Sequence, residues 1–174
     1  MKPFIGIKKI WYGDVITTAV TKSSLKTWLG TATEVENSHQ DTWAYTEDDP
    51  TYTDYINELN GSIYYRDVTQ KGAKTIAFTM GVFSFDDKVD LEGGEKIDTD
   101  AGWASSDTPG IVNKAIVGQT KTGNYIVFTN AAVIAKGNAV EKNIGLGITA
   151  VAMENPNSGV KSDYLFDGEK VEAA

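Results

Sequence analysis

Lys74-Thr75-Ile76-Ala77-Phe78-Thr79-Met80-Gly81-Val82-Phe83 sets large apolar residues at every second position and small or hydroxylic ones between them. Successive side chains of a β-strand point to opposite faces, so Ile76, Phe78, Met80 and Val82 are expected on a buried face. Thr75, Ala77, Thr79 and Gly81 then form a polar or closely packed face. Working outward, Phe4 to Trp11, Asp14 to Val20, Thr42 to Thr46 and Ser62 to Val68 also read as strands. After the quoted stretch come Ile111 to Gln119, Tyr125 to Lys136, Ala139 to Glu154 and Lys161 to Phe166; the two middle ones are long, which predicts a bend or bulge. Turn residues at Tyr12-Gly13-Asp14, Asn60-Gly61, Lys71-Gly72, Thr122-Gly123-Asn124, Lys136-Gly137-Asn138 and Asn155 to Gly159 suggest antiparallel connections. The one convincing helix runs from Ser84 to Leu91, with Ser84 as cap, Asp86 and Asp87 in the first turn and Gly93-Gly94 as the stop. The expected fold is therefore mainly β: an antiparallel β-sandwich or partly closed barrel with one short flanking helix.

At 174 residues the chain reads as a single domain, 1–174, with a long acidic loop around 38–60 and a mobile tail at 168–174. Between Lys26 and Arg66 lie eight acids and no Lys or Arg, which matches the whole net charge of −8; the other 16 acids balance the 16 bases. The same excursion carries Trp28, Trp43, Tyr45, Tyr52 and Tyr55, more aromatics than a solvated acidic tract usually holds. An acidic chain with a single arginine, Arg66, is poorly equipped to grip phosphates, so nucleic-acid binding is disfavoured. No apolar run approaches the roughly 20 residues that span a bilayer, and Met1 to Val15 lacks the apolar core of an export signal.

Zero cysteines exclude a disulfide framework, a thiolate metal site and a cysteine nucleophile. His39 is the only histidine; its neighbours Asn37, Ser38, Gln40 and Asp41 read as a polar loop rather than a catalytic setting. Gly145-Leu146-Gly147-Ile148-Thr149-Ala150 imitates a dinucleotide fingerprint, but no strand–turn–helix context surrounds it. Asp98-Thr99-Asp100-Ala101-Gly102 opens like a calcium loop, yet Pro109 stands where the closing glutamate is needed. Asn60-Gly61-Ser62 is a formal glycosylation sequon that reads more simply as a hairpin turn. No catalytic, cofactor or metal residues are assigned, and no enzymatic activity is expected.

The order of these features resembles the major tail tube proteins of long-tailed bacteriophages and, more distantly, the ring-forming tube proteins of contractile injection systems. The likeness rests on Ile5 to Trp11 followed by Asp14 to Val20, on Thr46-Glu47-Asp48-Asp49-Pro50-Thr51, on Lys74 to Thr79 leading into the acidic helix, and on Gly147-Ile148-Thr149-Ala150-Val151-Ala152. It implies a structural subunit, made in a bacterial cytoplasm and incorporated in a virion tail, that forms hexameric rings stacked as a tube. The implied partners are further copies and other tail proteins, with DNA as a passenger that does not stick, and no membrane or cofactor. Trp43, Tyr45, Asp48, Asp49, Tyr52 and Tyr55 are the candidate interface residues, since aromatics in a long loop can anchor an interface. The segment from Glu92 to Gly110 departs from the pattern; Trp103 within it is either a local anchor or a partner contact. Two competing readings are a carbohydrate-binding or adhesin β-sandwich using exposed tryptophans, and a small hydrolase using paired carboxylates.

Overall fold

Strand β1 (Lys9–Gly13) turns Ile10 and Tyr12 to one face of a sheet and Trp11 to the other, and all three are buried. The element order continues α1 (Lys22–Leu29), β2 (Thr33–Glu34), β3 (Ala44–Glu47), β4 (Thr51–Ile56), β5 (Ile63–Gln70), β6 (Lys74–Met80), α2 (Phe85–Glu92), β7 (Glu95–Ile97) and β8 (Gly102–Ala104). It ends with β9 (Val112–Gln119), β10 (Tyr125–Val140), β11 (Asn143–Ala152), β12 (Asp163–Phe166) and α3 (Gly168–Glu172). The computed structural model describes residues 1–108 and 110–173. Eight strands form one antiparallel sheet ordered β2-β1-β9-β10-β11-β6-β3, with β12 also on β10; β4–β5 and β7–β8 are separate hairpins. The fold is mainly β and sandwich-like, as the alternation predicts, and the sheet does not close into a barrel.

The long strand β10 organises both layers. Its first half, Tyr125 to Phe128, pairs with β9 and β12; from Ala131 onward it pairs with β11, while β9 stays on its other edge as far as Val133. Between Phe128 and Ala131 it advances three residues while β9 advances two, from Ile116 to Lys114. That extra residue is a β-bulge, and it inverts the alternation. Ile126 and Phe128 face the main core before the bulge; Ala131, Val133 and Ala135 face it afterwards. The bulge residues are buried and hydrogen-bonded to neighbouring irregular segments: Thr129 N–H and Oγ1 donate to the carbonyls of Ser162 and Lys161, and Asn130 Nδ2 donates to that of Glu154.

The main core lies between the two halves of the folded sheet. Ile10, Tyr12, Ile116, Ile126 and Phe128 meet Ile76, Phe78, Met80, Leu146 and Ile148, and α2 contributes Leu91. The reverse face of β1, β9 and early β10 forms a second core: Trp11, Ala115, Val117, Tyr125 and Val127 pack under Leu25 of α1 and Val171 of α3.

Several expectations need correction. Asp14 to Val20 is not a strand; only Ile16 and Val20 are buried, and Ile16 satisfies its backbone through the Thr129 carbonyl and Asn155 Nδ2 instead of a ladder. The opening strand, shorter than expected, therefore pairs with β2 and β9. Val82 is 63 % exposed, because β6 ends at Met80 and the chain bends at Gly81. Among the described residues there are three short helices, not one: α1 is set by a capping box between Thr21 and Ser24. The tail is docked rather than loose, since Gly168 N–H donates to Asn124 Oδ1 and Val171 is buried; Ala174 lies outside the described residues. Gly137 sits inside β10, and the β10–β11 turn falls at Glu141 and Lys142, both with positive φ. Much of the expected acidic loop at 38–60 is strand, in β3 and β4.

Candidate interaction surface

The six candidate interface residues divide into two groups. Trp43 and Tyr45 pack against the main core: their rings lie 6.4 Å from Phe78 and 6.3 Å from Phe128, centroid to centroid, and a Cβ on Gly118 would stand 2.7 Å from the Trp43 ring. They hold β3 over β9 and β10, so the structure removes them from the exposed set. Asp48 and Asp49 form the exposed corner between β3 and β4. Tyr52 and Tyr55 belong to the β4–β5 hairpin and are 52 % and 45 % exposed.

This hairpin stands away from the body. Every residue of β5 is exposed, and among the described residues β4 pairs only with β5. Opposite pairs fix its faces: Tyr52 with Val68, Asp54 with Arg66, Tyr55 with Tyr65 and Ile56 with Ile63, the last after an irregularity that leaves Tyr64 unpaired. One face thus runs Tyr52–Val68, Asp54–Arg66, Ile56–Ile63, an ion pair between two exposed apolar pairs; the Tyr55–Tyr65 contact is on the reverse. Arg66 grips Asp54 with two bonds, Nε–Oδ1 at 2.6 Å and Nη2–Oδ2 at 2.8 Å, and lies 3.9 Å over the Tyr52 ring. Those hydrogen bonds hold the Asp54 carboxyl below its ordinary range and the guanidinium above its own. The alternation Thr51-Tyr52-Thr53-Asp54-Tyr55 could have revealed β4 in the sequence; its acids and the lack of a buried face obscured it.

The arm's root is tied to the body. Asp48 N–H donates to the Ala73 carbonyl at 2.9 Å, and Gly72 passes so close to the Asp48 carbonyl that a Cβ there would collide with it. Next to the root opens a groove of about 880 Å³ between Asp48, Pro50, Lys71 and the 153–162 segment. At its wall Lys74 Nζ donates to Asp163 Oδ2 at 2.6 Å, with Glu47 3.7 Å away, and the Asp163 bond raises the Lys74 pKa above the ordinary lysine value.

None of the four tryptophans is exposed: Trp11 is buried, and Trp28, Trp43 and Trp103 are half-buried. Trp103 is a local anchor. Its Nε1 donates to the Gly93 carbonyl at 2.8 Å, and Lys88 Nζ lies 4.0 Å from its ring centroid. His39 faces a carbonyl, that of Gln40 at 3.1 Å, and Glu141 at 4.0 Å. Among the described residues no three His, Cys, Asp or Glu side chains gather to hold a metal ion, and no helix is long and apolar enough to cross a membrane. Comparison with family models and with curated proteins finds no match for this chain.

Proposed function

We propose that this chain is a structural subunit that assembles with copies of itself, in rings that stack as a tail-tube-like conduit for DNA. One observation carries the reading. The β4–β5 arm exposes Tyr52, Tyr55, Ile56, Ile63, Tyr64, Tyr65 and Val68, each at least 45 % accessible. A two-stranded hairpin is marginal in water by itself, and apolar side chains on a projecting ribbon gain from cover that the subunit does not supply. An arm docking on another copy is a heterologous contact, which closes into rings or propagates as filaments. The net charge of −8 suits the inner environment of such a conduit, because like charge keeps a phosphate backbone from adhering.

Negative-stain electron microscopy of the concentrated protein, beside a variant with Tyr52, Ile56, Ile63 and Val68 all changed to Ser, tests this. Rings or tubes are expected from the parent and dispersed subunits from the variant, whose body should melt unchanged because none of the four touches either core. Dispersed monomers from the parent at every concentration would overturn the proposal, as would rings that persist in the variant.

A further inference from the structure

The tip of the arm holds the chain's single Asn-Gly pair, Asn60-Gly61. The connection from β4 to β5 turns at Asn57: Asn60 N–H and Gly61 N–H both donate to the Asn57 carbonyl, at 3.3 and 2.8 Å, and Gly61 has a φ of +70°. Glycine closes the loop in the left-handed region, a common ending for a hairpin turn. This is a longer loop than the two-residue turn that the dipeptide alone suggests. Asn60 is exposed, and no atom outside its chain neighbours lies within 4 Å of the place a Cβ would occupy on Gly61. The Asn60 side-chain oxygen accepts a hydrogen bond from Ser62 N–H at 3.0 Å.

From this arrangement we infer that Asn60 is a site of spontaneous deamidation and isomerisation, gated by the opening of the hairpin tip. The Gly61 nitrogen, giving up its proton to solvent base, attacks Asn60 Cγ. The new carbon–nitrogen bond closes a succinimide while the Cγ–Nδ2 bond breaks and the nitrogen leaves, protonated, as ammonia. Water then opens the imide at either carbonyl: cleavage of the Cγ bond leaves aspartate, and cleavage of the main-chain bond leaves isoaspartate. Nothing is oxidised or reduced. Three features favour this residue. Gly61 puts no side chain in the way of its own nitrogen. The Ser62 N–H polarises the amide and is placed to receive the charge that develops on its oxygen. The tip is open to the solvent base and water that the reaction consumes. One feature opposes it: Gly61 N–H is engaged by the Asn57 carbonyl, so attack requires that bond to break. Reaction thus reports local opening, which an unsupported two-stranded arm undergoes at low cost.

The product changes the arm. Either outcome adds a carboxylate to a tip that already carries Glu58, and isoaspartate also inserts a methylene into the main chain inside the turn. That lengthening strains the Ile56–Ile63 pairing, which the turn holds in register. The inference stands on the tip's geometry and not on the assembly reading.

The test incubates the full chain in mildly alkaline buffer and follows it by peptide mapping that separates asparagine, aspartate and isoaspartate, with a urea-unfolded sample alongside. Asn60 should convert before every other asparagine, including Asn37 and Asn157, which precede serine. Isoaspartate should exceed aspartate. The folded chain should lag the unfolded one, but by less than about tenfold, because opening of such an arm lies at the low end of local unfolding. Asn60→Ser, which retains a turn-compatible hydroxyl, should abolish the signal at this peptide without altering the melting of the body. An intact Asn60 in the folded chain while the unfolded sample converts, or another asparagine converting first, would overturn the inference.

Discussion

Phe78→Ala tests the packing of the sheet at a fully buried position of the main core. Phe78 is 2 % exposed on β6, a strand flanked by β11 and β3; Ile148 is its partner in the ladder, and its ring meets Trp43 at 6.4 Å. Removing a buried phenylalanine costs about 3–5 kcal/mol through lost transfer energy and the cavity left behind. Ile148 is held by its own ladder and cannot fill the void, whereas Trp43, half-buried in the irregular segment just before edge strand β3, can settle part-way into it. The expected loss is therefore nearer ~3–4 kcal/mol, a large share of the ~5–15 kcal/mol that holds a domain together. Urea denaturation followed by tryptophan fluorescence should show a lowered midpoint with an unchanged slope. Val82→Ala is the comparator: at 63 % exposure the change should stay within about 0.5 kcal/mol. A loss below about 1 kcal/mol for Phe78→Ala, or an equal loss for Val82→Ala, would refute the assigned facing of β6.

Gly72→Ala should loosen the root of the arm by about 1–3 kcal/mol through its collision with the Asp48 carbonyl; calorimetry checks the loss, and amide exchange at Asp48 should rise with it. Burial first, then the hydrogen bond to Asp87, raises the Tyr12 hydroxyl pKa; burial and then Glu172 do the same for Tyr125. The unfolded chain releases these protons near pH ~10 while the folded chain keeps them, so this stability is complete below about pH 10 and falls as pH rises. Tyr12→Phe should flatten that alkaline decline in urea midpoints, and a decline as steep as the parent's would count against the assignment. If the Asp48–Asp49 corner meets like charge on a neighbouring copy, sedimentation should show assembly strengthening as salt shortens the screening length from about 10 Å at 0.1 M to about 3 Å at 1 M. Asp48→Asn with Asp49→Asn should mimic salt; assembly weakened by salt would point to attractive pairs instead.

The sequence made the centre of the sheet legible and its margins less so. Ile76, Phe78 and Met80 could be assigned because each lies in a strand flanked on both sides, where alternation and burial coincide. Val82 continues the pattern on paper but not in space, because Asn143 Nδ2 caps the Gly81 carbonyl beyond the strand's end. Helix α1 had a readable signal, Thr21 with Ser24 followed by Leu25, Trp28 and Leu29, but the Val- and Thr-rich lead-in favoured a strand. The β10–β11 turn was not readable: Glu141 and Lys142 take positive φ, while Gly137-Asn138, the better turn formers, are held in the ladder opposite Leu146 and Gly145. Within the candidate site, Trp43, Tyr45, Tyr52 and Tyr55 look alike in sequence. What separates them is where β3 lands on Phe78 and Phe128, a long-range contact that no local pattern contains.

The bulge in β10 has a mechanical consequence. One continuous strand belongs to the helix-covered layer at its start and to the β11–β6–β3 layer at its end, the layer from which the arm departs. A pull on the arm therefore travels through β3, β6 and β11 and reaches the helices in series through β10. Strands pulled along their length resist as a set of parallel bonds, but a kinked strand concentrates shear at the kink. Thr129 and Asn130, cross-tied to Ser162, Lys161 and Glu154, brace that corner against sliding. The two layers are thus cross-tied where they join, whereas the tip of the arm is held by the bonds of its own turn.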